Sequence, residues 1–196
     1  MNDIDNFCLL TSYQSRWPVS HHLDIALRDE WQREVYLACR GMMLHNGWKS
    51  VWDMGCGSGY KLLNLMGEFS TVGIEIEPTL GWLRQEYPDR TWADGSGDMV
   101  AGAPDMIICA DVIEHVENPD ELLQCLKAAG AKAYIFSTPD RDLVRGIGNL
   151  GPPDNPCHVR EWSMPEFQEL ISRHFVVSSH QISNFHQGTQ MIICQP

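Results

Sequence analysis

The sequence predicts an α/β domain built on a doubly wound, seven-stranded, mostly parallel sheet. Helices cover both faces, and a C-terminal antiparallel strand hairpin closes one edge. Three observations carry this prediction. Strand-like apolar runs alternate with helix-like segments from residue 50 onward. The first run leads into Asp53-Met54-Gly55-Cys56-Gly57-Ser58-Gly59 and then a helix, a strand-to-helix turn that brings a ligand onto bare backbone. The chain ends in two strand-like runs with only a short connection between them, which allows antiparallel pairing alone.

Taken in order, residues 1–19 carry Trp17-Pro18 without a period and read as a mobile or ligand-dependent arm. Between residues 22 and 43, Leu23, Leu27, Trp31, Val35, Leu37, Ala38 and Met42 approximate helical spacing. Gly47, after His45-Asn46, supplies the C-cap. Residues 1–45 are therefore set apart as an arm and helix of the same domain, and residues 46–196 as its ligand-binding core.

Residues 50–54 form the first strand, and the helix beyond the glycines extends to about residue 67. A second strand, 71–76, closes at Glu75-Ile76-Glu77-Pro78; Thr79 caps a helix that stops before Pro88. A brief third strand at 91–93 ends in Asp94-Gly95, and residues 96–104 have room for a short helix at most. Met106, Ile107, Ile108 and Cys109 form a continuous apolar run, as in a strand buried on both faces. Asn118-Pro119 opens a helix that ends before Gly130, and 132–137 is the fifth strand. Residues 141–160, rich in glycine and proline, read as a long loop of the kind that is usually functional. Ser163 caps a last helix with Pro165 in its first turn and Phe167, Leu170, Ile171 and His174 facing inward; strands at 175–182 and 190–194 follow.

Length and composition bound the function. A chain of 196 residues suffices for one ordinary core. A net charge of −12 and a pI near 4.9 count against nucleic acid and anionic membranes, although Arg141, Arg145 and Arg160 share one region. No apolar run approaches the roughly 18 residues of a membrane span, and the acidic start Met1-Asn2-Asp3-Ile4-Asp5 is not a signal peptide. Seven scattered cysteines without a Cys-x-x-Cys point to packed thiols in a reducing cytoplasm. No oligomeric state is assigned.

In such sheets ligands bind beyond the carboxyl ends of the strands. Four ends here carry polar or small residues: Asp53 with Gly55 and Gly57, Glu75, Asp94, and Ala110-Asp111. Glu75, about 20 residues after the glycines, suits the ribose hydroxyls of a nucleotide. A nicotinamide dinucleotide is disfavoured on two counts. Tyr60 stands where its third glycine would be, and Asp53 would face the pyrophosphate with like charge. A ligand with a cationic group and no phosphate fits better.

The run Asp53 to Gly59 resembles motif I of the class I S-adenosylmethionine-dependent methyltransferases. Glu75, Asp94 and Ile108-Cys109-Ala110-Asp111-Val112-Ile113-Glu114-His115 continue the resemblance, which spans roughly residues 49–194. It implies a Rossmann-like fold, S-adenosyl-L-methionine as cofactor and S-adenosyl-L-homocysteine as product. By the same resemblance Asp53 would meet the methionine ammonium, and the Gly55 and Gly57 backbone would pass beneath methionine and ribose. Glu75 would hold both ribose hydroxyls, Ile76 would pack on adenine, Asp94 would accept from its exocyclic amine, and Ala110 would border the sulfonium.

For the acceptor, Asp111, Glu114 and His115 share a face if residues 111–116 form a helical turn, and His158 precedes the last helix. Asp111, His115 and His158 are the candidate catalytic residues, suited to take a proton from a hydroxyl acceptor. Val112-Ile113-Glu114-His115-Val116 is similar to the ubiquinone-biosynthesis O-methyltransferases and kindred small-molecule enzymes. Glu114-His115 with a later His158 before Glu161-Trp162 is also similar to the small-RNA 3′-terminal 2′-O-methyltransferases, where two glutamates and two histidines bind a divalent metal. Asp111 stands in place of the first of those glutamates, so a metal is not favoured and no metal ligand is assigned. The expected function is methyl transfer to a small-molecule acceptor, at oxygen. The alternatives are metal-dependent RNA 2′-O-methylation and a cofactor-binding module without turnover. Tyr13, Trp17, His21 and His22 on the arm are candidates to close over the site.

Overall fold

The computed structural model describes residues 6–17, 24–96 and 102–196. Seven strands form one sheet: β1 (Ser50–Met54), β2 (Ser70–Glu75), β3 (Trp92–Asp94), β4 (Met106–Ala110), β5 (Ala133–Pro139), β6 (Val176–Asn184) and β7 (Thr189–Gln195). Their order is β3-β2-β1-β4-β5-β7-β6. The first five run parallel, and β7 enters antiparallel between β5 and β6. The order reverses between β1 and β4, so a crevice opens at their carboxyl ends, where the glycine turn lies.

Alternation along the strands splits the core into two layers. Val51, Met106, Ile108 and Ala110 point to one face, where helix α1 (Arg33–Asn46) contributes Val35, Tyr36, Cys39 and Met43. Helices α2 (Tyr60–Leu65) and α3 (Thr79–Glu86) add Leu62 and Leu83 there. Trp52, Met54, Ile107 and Cys109 point to the other face, which α4 (Pro119–Ala128) and α6 (Met164–Ser172) cover with Leu123, Leu126, Phe167, Leu170 and Ile171. This period of two is why β4 reads as unbroken apolar sequence: both of its faces are covered.

The expected caps largely form. Gly47 is left-handed (φ 66°) after α1, and the Asn118 side chain accepts from Glu121 N–H. Ser163 and Glu166 make a capping box on α6. At α3 the N-cap is Pro78, and Thr79 is the first helical residue.

Three expectations are corrected. Helix α1 begins at Arg33, a decade later than the apolar spacing suggested, because Gln32 is left-handed (φ 62°) and its N–H bonds Gln187 Oε1. Among the described residues a 3₁₀ turn, Asp24–Ala26, is the one helical element that precedes it. The loop after β5 is interrupted by a short helix, α5 (Arg141–Arg145), whose Asp142 and Leu143 N–H groups donate to the Asp140 side chain. Finally, residues 6–17 are docked rather than mobile. Leu9 sits in the core, Gln14 N–H bonds Leu150 O, Arg16 N–H bonds Val159 O, and Trp162 Nε1 donates to Phe7 O. His21 and His22 lie outside the described residues, as do residues 97–101.

Candidate active site

The glycine turn between β1 and α2 needs its glycines. Gly55, Gly57 and Gly59 have φ of 71°, 54° and 69°, the left-handed region that costs other residues strain. A Cβ on Gly55 would lie 2.4 Å from Val112 Cγ2, so the turn and the loop after β4 approach backbone to side chain.

Asp53, fully buried at the end of β1, accepts a 2.8 Å hydrogen bond from the Tyr36 hydroxyl at Oδ2. Its Oδ1 is buried with no hydrogen-bond partner. Burial pushes its pKa up to about 7, against the pull of the Tyr36 hydrogen bond and the Lys61 charge. Glu75, at the end of β2, accepts from Gly57 N–H and Ile76 N–H, each at 2.9 Å. Its carboxylate is thus fixed between two strand ends, beside the cleft. Asp94 lies next to Glu75 in register, is exposed, and accepts from Ser96 N–H and Oγ. Ile76 lies near Gly95 in the same corner.

Between the turn and α1 is a cavity of about 30 Å³, lined by Tyr36, Gly55, Gly57, Lys61, Ala110 and Asp111 and covered by Leu27 and Trp31. The cover is bonded down, since Ser58 Oγ donates to Leu27 O and Lys61 Nζ to Arg28 O. An unpaired buried carboxylate oxygen beside bare glycine backbone suits a cationic, phosphate-free ligand. The chemistry of these residues fits an amino-acid nucleoside such as S-adenosyl-L-methionine, and a cavity of this size admits it only when the Leu27–Trp31 cover moves aside.

Past Ala110 the chain turns sharply. Asp111 has φ 52°; its Oδ1 accepts from Ser137 Oγ at 2.6 Å and its Oδ2 from Gln32 Nε2 at 3.1 Å. The single 3₁₀ turn Ile113–His115 follows, so Asp111, Glu114 and His115 do not share one helical face. Glu114 is fully buried, with Oε2 accepting from Thr138 Oγ1 at 3.1 Å and Oε1 unpaired. Burial, reinforced by Asp111, raises its pKa well above the carboxylate range. His115 Nδ1 meets Cys157 O at 2.9 Å, which makes Nδ1 the protonated nitrogen and Nε2 the basic one. His158 Nδ1 meets Glu161 Oε1 at 2.7 Å, and its Nε2 accepts from Asn155 Nδ2 at 2.9 Å. The two imidazoles meet edge to face with centroids 4.8 Å apart.

One ligand atom each from Glu114, His115 and His158 lie within 4.8 Å of one another. This mixed nitrogen and oxygen set is of a kind that transition metals accept. Asp111, committed to Ser137 and Gln32, is not among them. Sequence reasoning passed over Tyr36, Lys61, Gln32 and Glu161 as site residues. The available signals were Tyr36 one turn after Gln32 on the buried stripe of α1, and Glu161 three residues after His158.

The strand order, the glycine turn and the acidic strand ends define a Rossmann-like methyltransferase fold. A family model described as "methyltransferase domain" matches residues 27–189. The chain belongs to that family, and is a methyltransferase that uses S-adenosyl-L-methionine. Among solved structures it is similar to magnesium protoporphyrin IX methyltransferase of Synechocystis PCC 6803 with bound S-adenosylhomocysteine, at 17% identity over 83% of this chain and 82% of that one, TM-score 0.64. It is also similar to an S-adenosylmethionine-dependent methyltransferase of Clostridium acetobutylicum, at 12% identity over 88% and 95% of the two chains, TM-score 0.65. A third likeness is to the methyltransferase domain of bacterial CtHen1-C, at 20% identity over 83% and 97%, TM-score 0.59. No curated protein sequence matches the chain. At these identities the structural likenesses establish the fold. Among the described residues no helix is long and apolar enough to cross a membrane.

Proposed function

We propose that this enzyme methylates a small-molecule hydroxyl, in the manner of the ubiquinone-biosynthesis O-methyltransferase branch. The observation that carries the reading is the histidine pair: His115 and His158 in edge-to-face contact, each with Nδ1 tied to an acceptor, just past the strand end that borders the cofactor cleft. Asp53, Gly55, Gly57, Glu75, Ile76, Asp94 and Ala110 would hold the cofactor, which supplies an electrophilic methyl on a sulfonium. The bound cofactor would supply the methyl to the acceptor oxygen, and His115 Nε2 would take the proton that the hydroxyl gives up. His158, oriented by Glu161, stabilises the resulting imidazolium. Asp111 borders both the cofactor cleft and this acceptor side. The docked arm, with Tyr13 accepting from Glu161 N–H, holds the His158 segment in place and serves as part of the cover. The free thiols Cys39, Cys56, Cys109 and Cys194 accord with a reducing cytoplasm.

The test is S-adenosylhomocysteine production from phenolic and aliphatic hydroxyl acceptors. His115→Ala is expected to lower kcat about 100-fold or more with cofactor affinity unchanged. Equal turnover by the variant overturns the reading.

The convergence of Glu114, His115 and His158 favours a second reading, metal-dependent 2′-O-methylation of RNA. Glu114 Oε1 and the two imidazoles would hold the ion. The net charge of −12 opposes it. Methylation of RNA oligonucleotides that disappears with chelator and in His158→Ala promotes this reading over the first. Absence of turnover with either acceptor class, with cofactor still bound, points instead to a binding module.

A further inference from the structure

A group that lines the cofactor cleft, in front of the buried Asp53, bears on how the ligand's amino-acid end is recognised. Asp53 Oδ1 offers a buried negative site, but the free amino-acid end of S-adenosyl-L-methionine also carries a carboxylate, which needs a positive partner. Among the described residues lining the cleft, Lys61 is the one cation. It sits in the first turn of α2, two residues after the left-handed Gly59 that ends the glycine turn. Its Nζ lies 5.5 Å from the centroid of the Tyr36 ring, and the hydroxyl of that ring holds Asp53. Tyr36 thus carries a carboxylate at its hydroxyl and an ammonium over its ring. Lys61 lines the cleft, and its charge acts on both Asp53 and Asp111. Its hydrogen bond is to Arg28 O at 3.3 Å, a neutral acceptor at long range, which a carboxylate would outbid.

We propose that Lys61 binds the α-carboxylate of the cofactor's amino-acid end, so that Asp53 and Lys61 together read a zwitterion. The assignment rests on the cofactor identity given above and adds a residue that motif I does not contain. It also gives Lys61 a trade: it releases the carbonyl of the covering segment when the cofactor enters.

Calorimetric titration of the full chain with S-adenosylhomocysteine and with 5′-methylthioadenosine tests it, because the second ligand lacks both amino-acid charges. In Lys61→Met, affinity for S-adenosylhomocysteine is expected to fall about tenfold or more, while affinity for methylthioadenosine stays as in the wild type. Lys61→Arg recovers most of the loss. Retained methylthioadenosine binding reports that the variant is folded. Equal loss for both ligands, or no loss for S-adenosylhomocysteine, overturns the assignment. Failure of the unmodified protein to bind either ligand overturns the cofactor identity itself.

Discussion

The Tyr36 hydroxyl donates to Asp53 Oδ2 across 2.8 Å, joining the helix that precedes the sheet to the carboxylate that precedes the glycine turn. Both groups are buried, and the second carboxylate oxygen has no partner. A cationic ligand therefore completes the site electrostatically. Without it, Asp53 holds its proton to about pH 7.

This sets a pH dependence for cofactor binding. The cofactor ammonium meets the ionised carboxylate, so binding near neutral pH releases a proton. Affinity for S-adenosylhomocysteine is expected to rise from about pH 6 to about pH 8, and the binding heat to depend on the buffer's ionisation enthalpy. Tyr36→Phe removes a bond that favours the ionised form, so its midpoint moves upward. The same linkage acts on ligand-free stability. Because the folded pKa lies above the usual value near 4, the Asp53 contribution is full below that value and is lost as pH rises to about 7. Asp53→Asn flattens this fall, which denaturant titration at several pH values reads directly.

Glu75 has a double task, since it fixes Gly57 N–H at 2.9 Å and presents its carboxylate at the ribose end of the cleft. Glu75→Ala is expected to weaken S-adenosylhomocysteine about 10- to 100-fold. Charge-assisted hydrogen bonds contribute roughly 1.5–3 kcal/mol each before compensation. Calorimetry measures the loss, and circular dichroism reports whether the fold is kept.

Gly55→Ala meets two penalties, a left-handed φ of 71° and a Cβ placed 2.4 Å from Val112 Cγ2. A destabilisation of about 2–4 kcal/mol is expected. Adding Val112→Ala relieves the contact but not the dihedral, so the double variant recovers part of the loss in urea denaturation.

Glu166 closes the capping box of α6 and pairs with the buried Arg141 guanidinium at 2.8 Å. Glu166→Ala leaves the buried cation with only the more distant Asp142 carboxylate, 4.0 Å away, and removes the cap. A loss of about 3–5 kcal/mol is expected. Arg141→Met in the same background removes the stranded charge, and recovers stability by thermal denaturation.

Much of this architecture was legible in the chain. The glycines of the turn could be read because only glycine tolerates their dihedrals. Asn118 and Ser163 could be read because caps use short polar side chains at fixed spacing. The start of α1 could not. Leu23, Leu27 and Trp31 continue the apolar period of that helix, but Gln32 is turned left-handed by contacts with Gln187 and Asp111, distant in sequence. The arm failed to show a period for a related reason. It is held by single contacts to residues 150–166 and not by a repeating face.

By itself, then, the sequence determined the sheet and the glycine turn beside Asp53 and Glu75, while the ligand was implied by the family resemblance that these residues carry. The sheet and the turn follow from local backbone freedom and from periods of two and 3.6 residues. The tertiary structure decided which groups surround that ligand and the acceptor. Tyr36 and Lys61 reach the turn from two helices, His115 and His158 meet from segments 43 residues apart in number, and Asp111 turns away to Ser137 and Gln32. Such meetings depend on how layers pack over the sheet, and no spacing within one segment encodes them.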